Sequence, residues 1–343
     1  MPVSSRSPKV RRAIIATVIT AAAALVAGLT IDADHDGVSR ASAAVGPAGR
    51  SGAEACGSAS AAAISAVDGA AARHMYASEL HGGEARADIG RVTGSQGLLS
   101  AMAGSNPAAV QAAVHGLVYA PHWHIVRLRV LKAGKVLADV GGPYIIAPVT
   151  GTLRWHGRTV GSYVMSVQDD VGFVKLVSRF IGAPIDIYRN GSFLMGTLKP
   201  APRAVSTGAT VTIAGSAYRA NVMQAGAFPS GSLEIAMFAK EPAAASGSCA
   251  TVRSAAWGSV AAHIAARFKP LPPHYKDLVG IVRSTTNGVA FVRAGSKQLA
   301  GAPGPARLPL SGTVTYRGRS WSVFSFEPAG APPARIYMLT PKE

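Results

Sequence analysis

The stretch "YAPHWHIVRLR", residues 119–129, concentrates more polar and aromatic chemistry than any other in this chain. If it is extended, His122 and His124 share one side, and Arg127 and Arg129 share another. A His-x-His pair on a strand can hold a metal once a third ligand joins it, here His115, Asp139 or His156. The other reading is a wet edge with Trp123 stacked on it, and no metal is assigned. Arg127 and Arg129 can clamp a carboxylate, because a planar guanidinium fork matches two carboxylate oxygens. Otherwise they form a solvent face. In "SVQDD", residues 166–170, a buried strand meets a helix. Gln168 and Asp169 are placed to line a pocket there, and Asp169 or Asp170 to cap the helix. Their adjacent carboxylates diverge, so they make no acid/base pair.

Enzyme signatures are lacking. The chain has no GxSxG, P-loop, GxGxxG, HExxH or SxxK motif, and no Ser/His/Asp spacing selects a triad. The expectation is a non-enzyme without a cofactor. Lys and Arg number 34 against 17 Asp and Glu, a net charge of +17, yet no basic run exceeds two residues. Dispersed charge of this kind defines no groove. Nucleic acid is not expected as a partner, since neither a basic helix nor an aromatic-basic sheet motif is present.

The elements that must position these residues can be read along the chain. Lys9, Arg11 and Arg12 precede the apolar run "AIIATVITAAAALVAGLTI", and acidic residues follow it. Residues 1–31 therefore read as a signal peptide or membrane anchor, with the remainder exported to the cell envelope. Residues 32–56 read as a flexible tether. In an oxidising compartment Cys56 and Cys249 either pair or remain two free thiols. Pairing would pin the start of the fold to the linker at 241–249. Apolar spacing predicts a helix over 57–81 and two further helical pieces, the last opened by Ser105 or Asn106 with Pro107 at its first position. Then the period changes to two. Hairpins are expected around Ala133-Gly134, His156-Gly157 and Asn190-Gly191, with a helix between the last two.

One phrase is written three times. "TLRWHGRTV", "TVTIAGSAY" and "TVTYRGRSW" each begin with Thr and have Gly sixth. Each follows an earlier turn glycine by 18 or 19 residues: Gly134, Gly191 and Gly295. The unit is a hairpin, a Pro/Gly crossover and a second hairpin. The second and third copies also place Pro229 and Pro332 nineteen residues after the Thr. Such a unit buries too little to stand alone. The expected fold is α+β: antiparallel sheets, a long N-terminal helix and internal hairpin repeats.

Over about residues 60–240 this order resembles the Cache, or PDC, family of extracytoplasmic sensor domains, and residues 57–240 are expected to form one such ligand-binding domain. The resemblance rests on "HMYASELHGGEARADIGRVTGSQGLLSAM", on "AAVQAAVHGLVYAPHWHIVRLRVLKAGKVLADVGG", on "RTVGSYVMSVQDDVGFVKLVSRFIG" and on "AYRANVMQAGAFPSGSLEIAMF". Residues 250–343 resemble a partial second copy. The resemblance implies a PAS-like fold and a small-molecule ligand bound between the sheet and its covering loops. It also implies occupancy relayed to a membrane signalling protein. Tyr144, Tyr163, Tyr188 and Arg189 become pocket walls by the same resemblance. The chain departs from the family in lacking a second span and an output domain. The competing expectation is a structural or envelope-interaction protein that holds an acidic wall polymer through its basic surface.

Overall fold

A computed structural model describes residues 56–121, 123–203, 205–242, 248–267, 275–286, 288–301, 303–305, 307–327 and 334–342. The expected signal or anchor segment, nearly all of the tether, His122, Pro332 and most of the linker lie outside the described residues. Among the described residues no helix is long and apolar enough to cross a membrane. The protein is α+β, with helices and antiparallel sheets.

Among the described residues a 3-10 turn (Gly57–Ala59) and four α-helices precede the first strand: α1 (Ser60–His81), α2 (Gly83–Gly94), α3 (Gln96–Ala103) and α4 (Pro107–Val118). The first of the two further helical pieces expected from the spacing is thus two helices, separated at Ser95, whose hydroxyl accepts from the Leu98 N–H to cap α3. Asn106, rather than Ser105, caps α4 by accepting from the Ala109 N–H. Strands β1 (Arg127–Lys132), β2 (Lys135–Gly141), β3 (Pro148–Trp155) and β4 (Arg158–Ser166) form one sheet in the order β2-β1-β4-β3. Leu128 and Val130 of β1 face a core filled from α2, α3 and α4 by Val92, Leu98, Met102 and Val114. The alternation of β1 then turns Arg127 and Arg129 to the opposite face.

Helix α5 (Asp170–Ile181) leads to strands β5 (Ile185–Arg189), β6 (Ser192–Gly196), β7 (Thr210–Ile213), β8 (Ser216–Gly226) and β9 (Ser232–Lys240). Helices α6 (Cys249–Arg267) and α7 (Tyr275–Thr286) precede β10 (Val289–Ala294), β11 (Lys297–Gly301), β12 (Ser311–Tyr316), β13 (Arg319–Phe326) and β14 (Arg335–Pro341). The second sheet runs β6-β5-β9-β8-β7 and the third β11-β10-β14-β13-β12, the same order in each. The turns 133–134, 156–157, 190–191, 214–215 and 317–318 carry positive φ at both residues. That is the mirror-image geometry that a right-handed strand twist selects for a two-residue hairpin. The first hairpin of every sheet shifts register once, at Val130/Leu131, Ile187/Tyr188 and Val292/Arg293.

Helix α1 packs on β8, β9, α5, α6 and α7, while α7 covers β10 and β11. One apolar core therefore runs from Val67 and Ala71 through Phe173 and Ile235 to Trp257, Ile281 and Ile336. It passes across the linker expected at 241–249. A disulfide joins Cys56 to Cys249, 193 residues apart in sequence, at the N-terminal ends of α1 and α6.

Candidate functional site

Arg127 and Arg129 meet on Asp139 of the neighbouring strand. Arg127 donates from Nε to Oδ1 at 3.1 Å and from Nη2 to Oδ2 at 3.0 Å. Arg129 donates from Nε and Nη2 to Oδ2 at 3.0 and 2.6 Å. The fork of Arg127 is thus already closed on an internal carboxylate, and its Nη1 donates to the Tyr144 carbonyl at 3.3 Å. Below lies Phe228, whose ring centroid is 4.3 Å from the Arg127 guanidinium carbon and 5.5 Å from that of Arg129. The face of an aromatic ring is negative, so it supports both cations. Burial pushes Asp139 up, but its bonds to the two arginines outweigh this and hold it below the usual carboxylate range. Arg127, Arg129 and Asp139 alone sum to one positive charge, and the Asp170 carboxylate lies close enough to Arg127 to act on it. About a fifth to a quarter of each of these side chains is exposed, at 19%, 23% and 24% for Arg127, Arg129 and Asp139. Such a site can take an anionic group at Arg129, whose Nη1 has no partner among the described residues.

The crossover after β2 is fixed beside this cluster. Asp170 accepts the Ile145 and Ile146 N–H groups, both at 2.9 Å. The Ser166 hydroxyl donates to the Ile146 carbonyl at 2.6 Å, and the Phe228 N–H donates to the Ile145 carbonyl at 2.7 Å. Ile146 also bridges Ala227. Residues 144–147 thereby join the first sheet to the second, and the arginine cluster sits at that joint. Burial raises Asp170, partly offset by the two backbone N–H groups.

A second polar group lies where α1 and α2 meet the segment before β1. His124 Nδ1 is 2.7 Å from Glu84 Oε1. Glu79 accepts a hydrogen bond from Gln168; burial, then the Glu84 charge, push it up to about 7. Asp88 is fully buried, pairs with Arg91, and is raised chiefly by burial. Arg91 lies over the Trp123 ring, 5.3 Å from its centroid. No group of three His, Cys, Asp or Glu among the described residues is placed to hold a metal ion.

The structure brings only some of the expected site residues together. Arg127, Arg129 and the Tyr144 backbone share the cluster. Asp169 is the cap of α5, accepting the Gly172 N–H at 2.6 Å, and Gln168 faces Glu79. Tyr163 is buried in the core under the helices, its ring laid over its cross-strand partner Gly151. Tyr188 is buried in the second sheet and donates to the fully buried Asp186 at 3.3 Å. Asp186 also accepts the Thr197 and Leu198 N–H groups, tying a loop to the sheet. Arg189 ends β5 in this second sheet, apart from the arginine pair. Phe228, Glu79 and Glu84 were not among the sequence-derived site residues, and Asp139 was considered only as a third metal ligand.

No family description matches this chain, and no curated protein does. Among solved structures, the crystal structure of the periplasmic domain of Vibrio cholerae LuxQ is similar to it. The likeness covers 53% of this chain and 99% of that one, at 9% identity and a TM-score of 0.28.

Proposed function

We propose that the chain is an extracytoplasmic, sensor-like protein that binds a small anionic or zwitterionic molecule and relays occupancy to a membrane signalling partner. The observation that carries this reading is the Arg127–Asp139–Arg129 cluster at the joint of two sheets. Its two guanidinium groups share a single carboxylate directly, and it is hydrogen-bonded to the crossover itself through the Tyr144 carbonyl. An anion drawn to Arg129 competes with Asp139 for the guanidinium groups and so acts on the segment that joins the sheets. The Cys56–Cys249 disulfide supports an oxidising, exported location. The α+β arrangement is consistent with a PAS-like sensor fold. No catalytic step forms part of this reading.

The test is a thermal-shift screen with carboxylates, amino acids, nucleobases, sugars and divalent metals. A ligand at about 100 times its Kd adds roughly 2.7 kcal/mol, a readable shift. The expected hit is an anion or zwitterion whose shift is lost in Arg129→Gln and enlarged in Asp139→Asn, which removes the internal competitor. A hit indifferent to both substitutions would sink the assignment.

A further inference from the structure

The charge of this chain is unevenly placed. Residues 249–343 carry 12 Lys or Arg against 3 Asp or Glu, whereas the preceding 248 residues carry 22 against 14. The fold gathers part of this surplus around one groove. Its floor is the end of the third sheet, where Arg319, Ser320 and Trp321 of β13 meet Pro341 and Lys342, and it encloses about 440 Å³. It continues, over Pro341 and Lys342, into a cleft against α6 lined by Ala250, Arg253, Ser254 and Trp257. Those four residues follow the i, i+3, i+4, i+7 spacing that puts them on one face of a helix. They belong to its first turns, where unpaired N–H groups add a partial positive charge.

The rim is cationic and accessible. Arg319 and Lys342 are exposed. Lys342 Nζ is 3.5 Å from Thr313 Oγ1, and no acidic residue lines either part of the groove among the described residues. Arg317, across the turn from Arg319, is also exposed. The one described carboxylate nearby in sequence, Glu327, is paired with Arg335.

We propose that this groove binds an acidic polysaccharide. Two exposed cations, Arg319 and Lys342, with Arg317 beside them, suit a chain with repeated carboxylates better than a single small anion. A bilayer is flat and would meet only the rim. Trp257 and Trp321 are 8% and 9% exposed, leaving little ring surface for stacked bases. This site is separate from the arginine cluster of the first sheet, and either can fail without the other.

The experiment uses the full chain and polygalacturonate, with galacturonate monomer, anionic phosphatidylglycerol vesicles and duplex DNA as comparisons. Arg319→Gln with Lys342→Gln removes two exposed cations. Lys135→Gln with Arg158→Gln removes two exposed cations of the first sheet, at equal net charge. The first pair is expected to weaken polymer binding roughly tenfold and flatten its salt dependence, and the second to leave both nearly unchanged. Equal weakening by both pairs would overturn the proposal, since net charge alone would then suffice. So would absence of binding by the parent chain, competition by monomer at equal carboxylate concentration, or tighter binding of vesicles or DNA. Unaltered circular dichroism and Tm exclude misfolding. Should the double variant misfold, Arg319→Gln and Lys342→Gln are read singly, each with a several-fold loss expected and no loss in either overturning the proposal.

Discussion

His124 places its Nδ1 2.7 Å from Glu84 and so fastens the segment leading into β1 to the first turn of α2. The Glu84 bond, opposed by burial, raises the His124 pKa above 6.5. Glu79, beside the pair, holds its proton up to about 7, against 4.5 ordinarily, because of burial. Both folded groups bind protons more tightly than the unfolded chain does. The His124 contribution is present below its unfolded value and lost as pH rises through its folded value. Glu79 favours folding by keeping its proton, an advantage that falls away between 4.5 and about 7.

Stability is therefore expected to fall as pH rises from about 5 to about 8, by about 1–3 kcal/mol given the partial exposure of both groups. Glu79→Gln should flatten the curve. Buried Asp68, raised to about 7 by desolvation, supplies a residual slope in the same direction, and His74, lowered by burial and by Arg73, one that opposes it. A Tm that is higher at pH 8 than at pH 5.5 would refute this account.

Reduction of Cys56–Cys249 opens a closure spanning 193 residues. Cys56→Ser with Cys249→Ser is expected to cost about 2–5 kcal/mol by denaturant unfolding, since a long closed loop restricts the unfolded chain. Unchanged stability would mean that α1 and α6 hold their termini by packing alone.

The neighbouring acids Asp169 and Asp170 should separate cleanly. Asp169→Ala removes a helix cap and is expected to cost about 1 kcal/mol. Asp170→Ala strands two backbone N–H groups, that of Ile146 fully buried, and is expected to cost about 2–4 kcal/mol. Hydrogen exchange at Ile145 and Ile146 should rise only in the second variant. Equal exchange in both would contradict the division of labour.

Gly141 and Gly301 close the first hairpins of the first and third sheets with φ of +120° and +97°. A Cβ at either would lie 2.3 Å from a backbone carbonyl oxygen, that of Val126 or Ala290. Alanine at either position is expected to destabilise by at least about 2 kcal/mol, because backbone cannot step aside as a side chain can. Alanine at Gly134, an open turn position, should cost about 1 kcal/mol. Equal costs at Gly134 and Gly141 would show that φ, not crowding, dominates.

The hairpins were legible because Ala-Gly, His-Gly, Asn-Gly and Arg-Gly turns advertise positive φ locally. The partner of the arginines was not. A regular hairpin closing at Ala133-Gly134 pairs Arg129 with Ala138. The bulge at Val130/Leu131 moves its partner to Asp139, so an internal carboxylate fills the clamp. Nothing local in the sequence marks that extra residue. Tyr163 and Tyr188 were placed as pocket walls by resemblance alone; a cross-strand glycine and a buried aspartate hold them in the interior. The sequence assigned no role to Glu79 and Glu84, which meet His124 only because the turn at Gly82 sets α1 against α2.

Helix α1 is about 33 Å long at 1.5 Å per residue. It is braced by β8 and β9 on one flank and by α6 and α7 on the other, with its first end bolted to α6 through Cys56. Its far end reaches Glu79, beside Gln168 and the strand that leads to the arginine cluster. A rod supported along both flanks and tied at one end resists bending, so α1 holds the Glu79 end and the disulfide end at a fixed separation, with α6 in turn touching β14 of the third sheet.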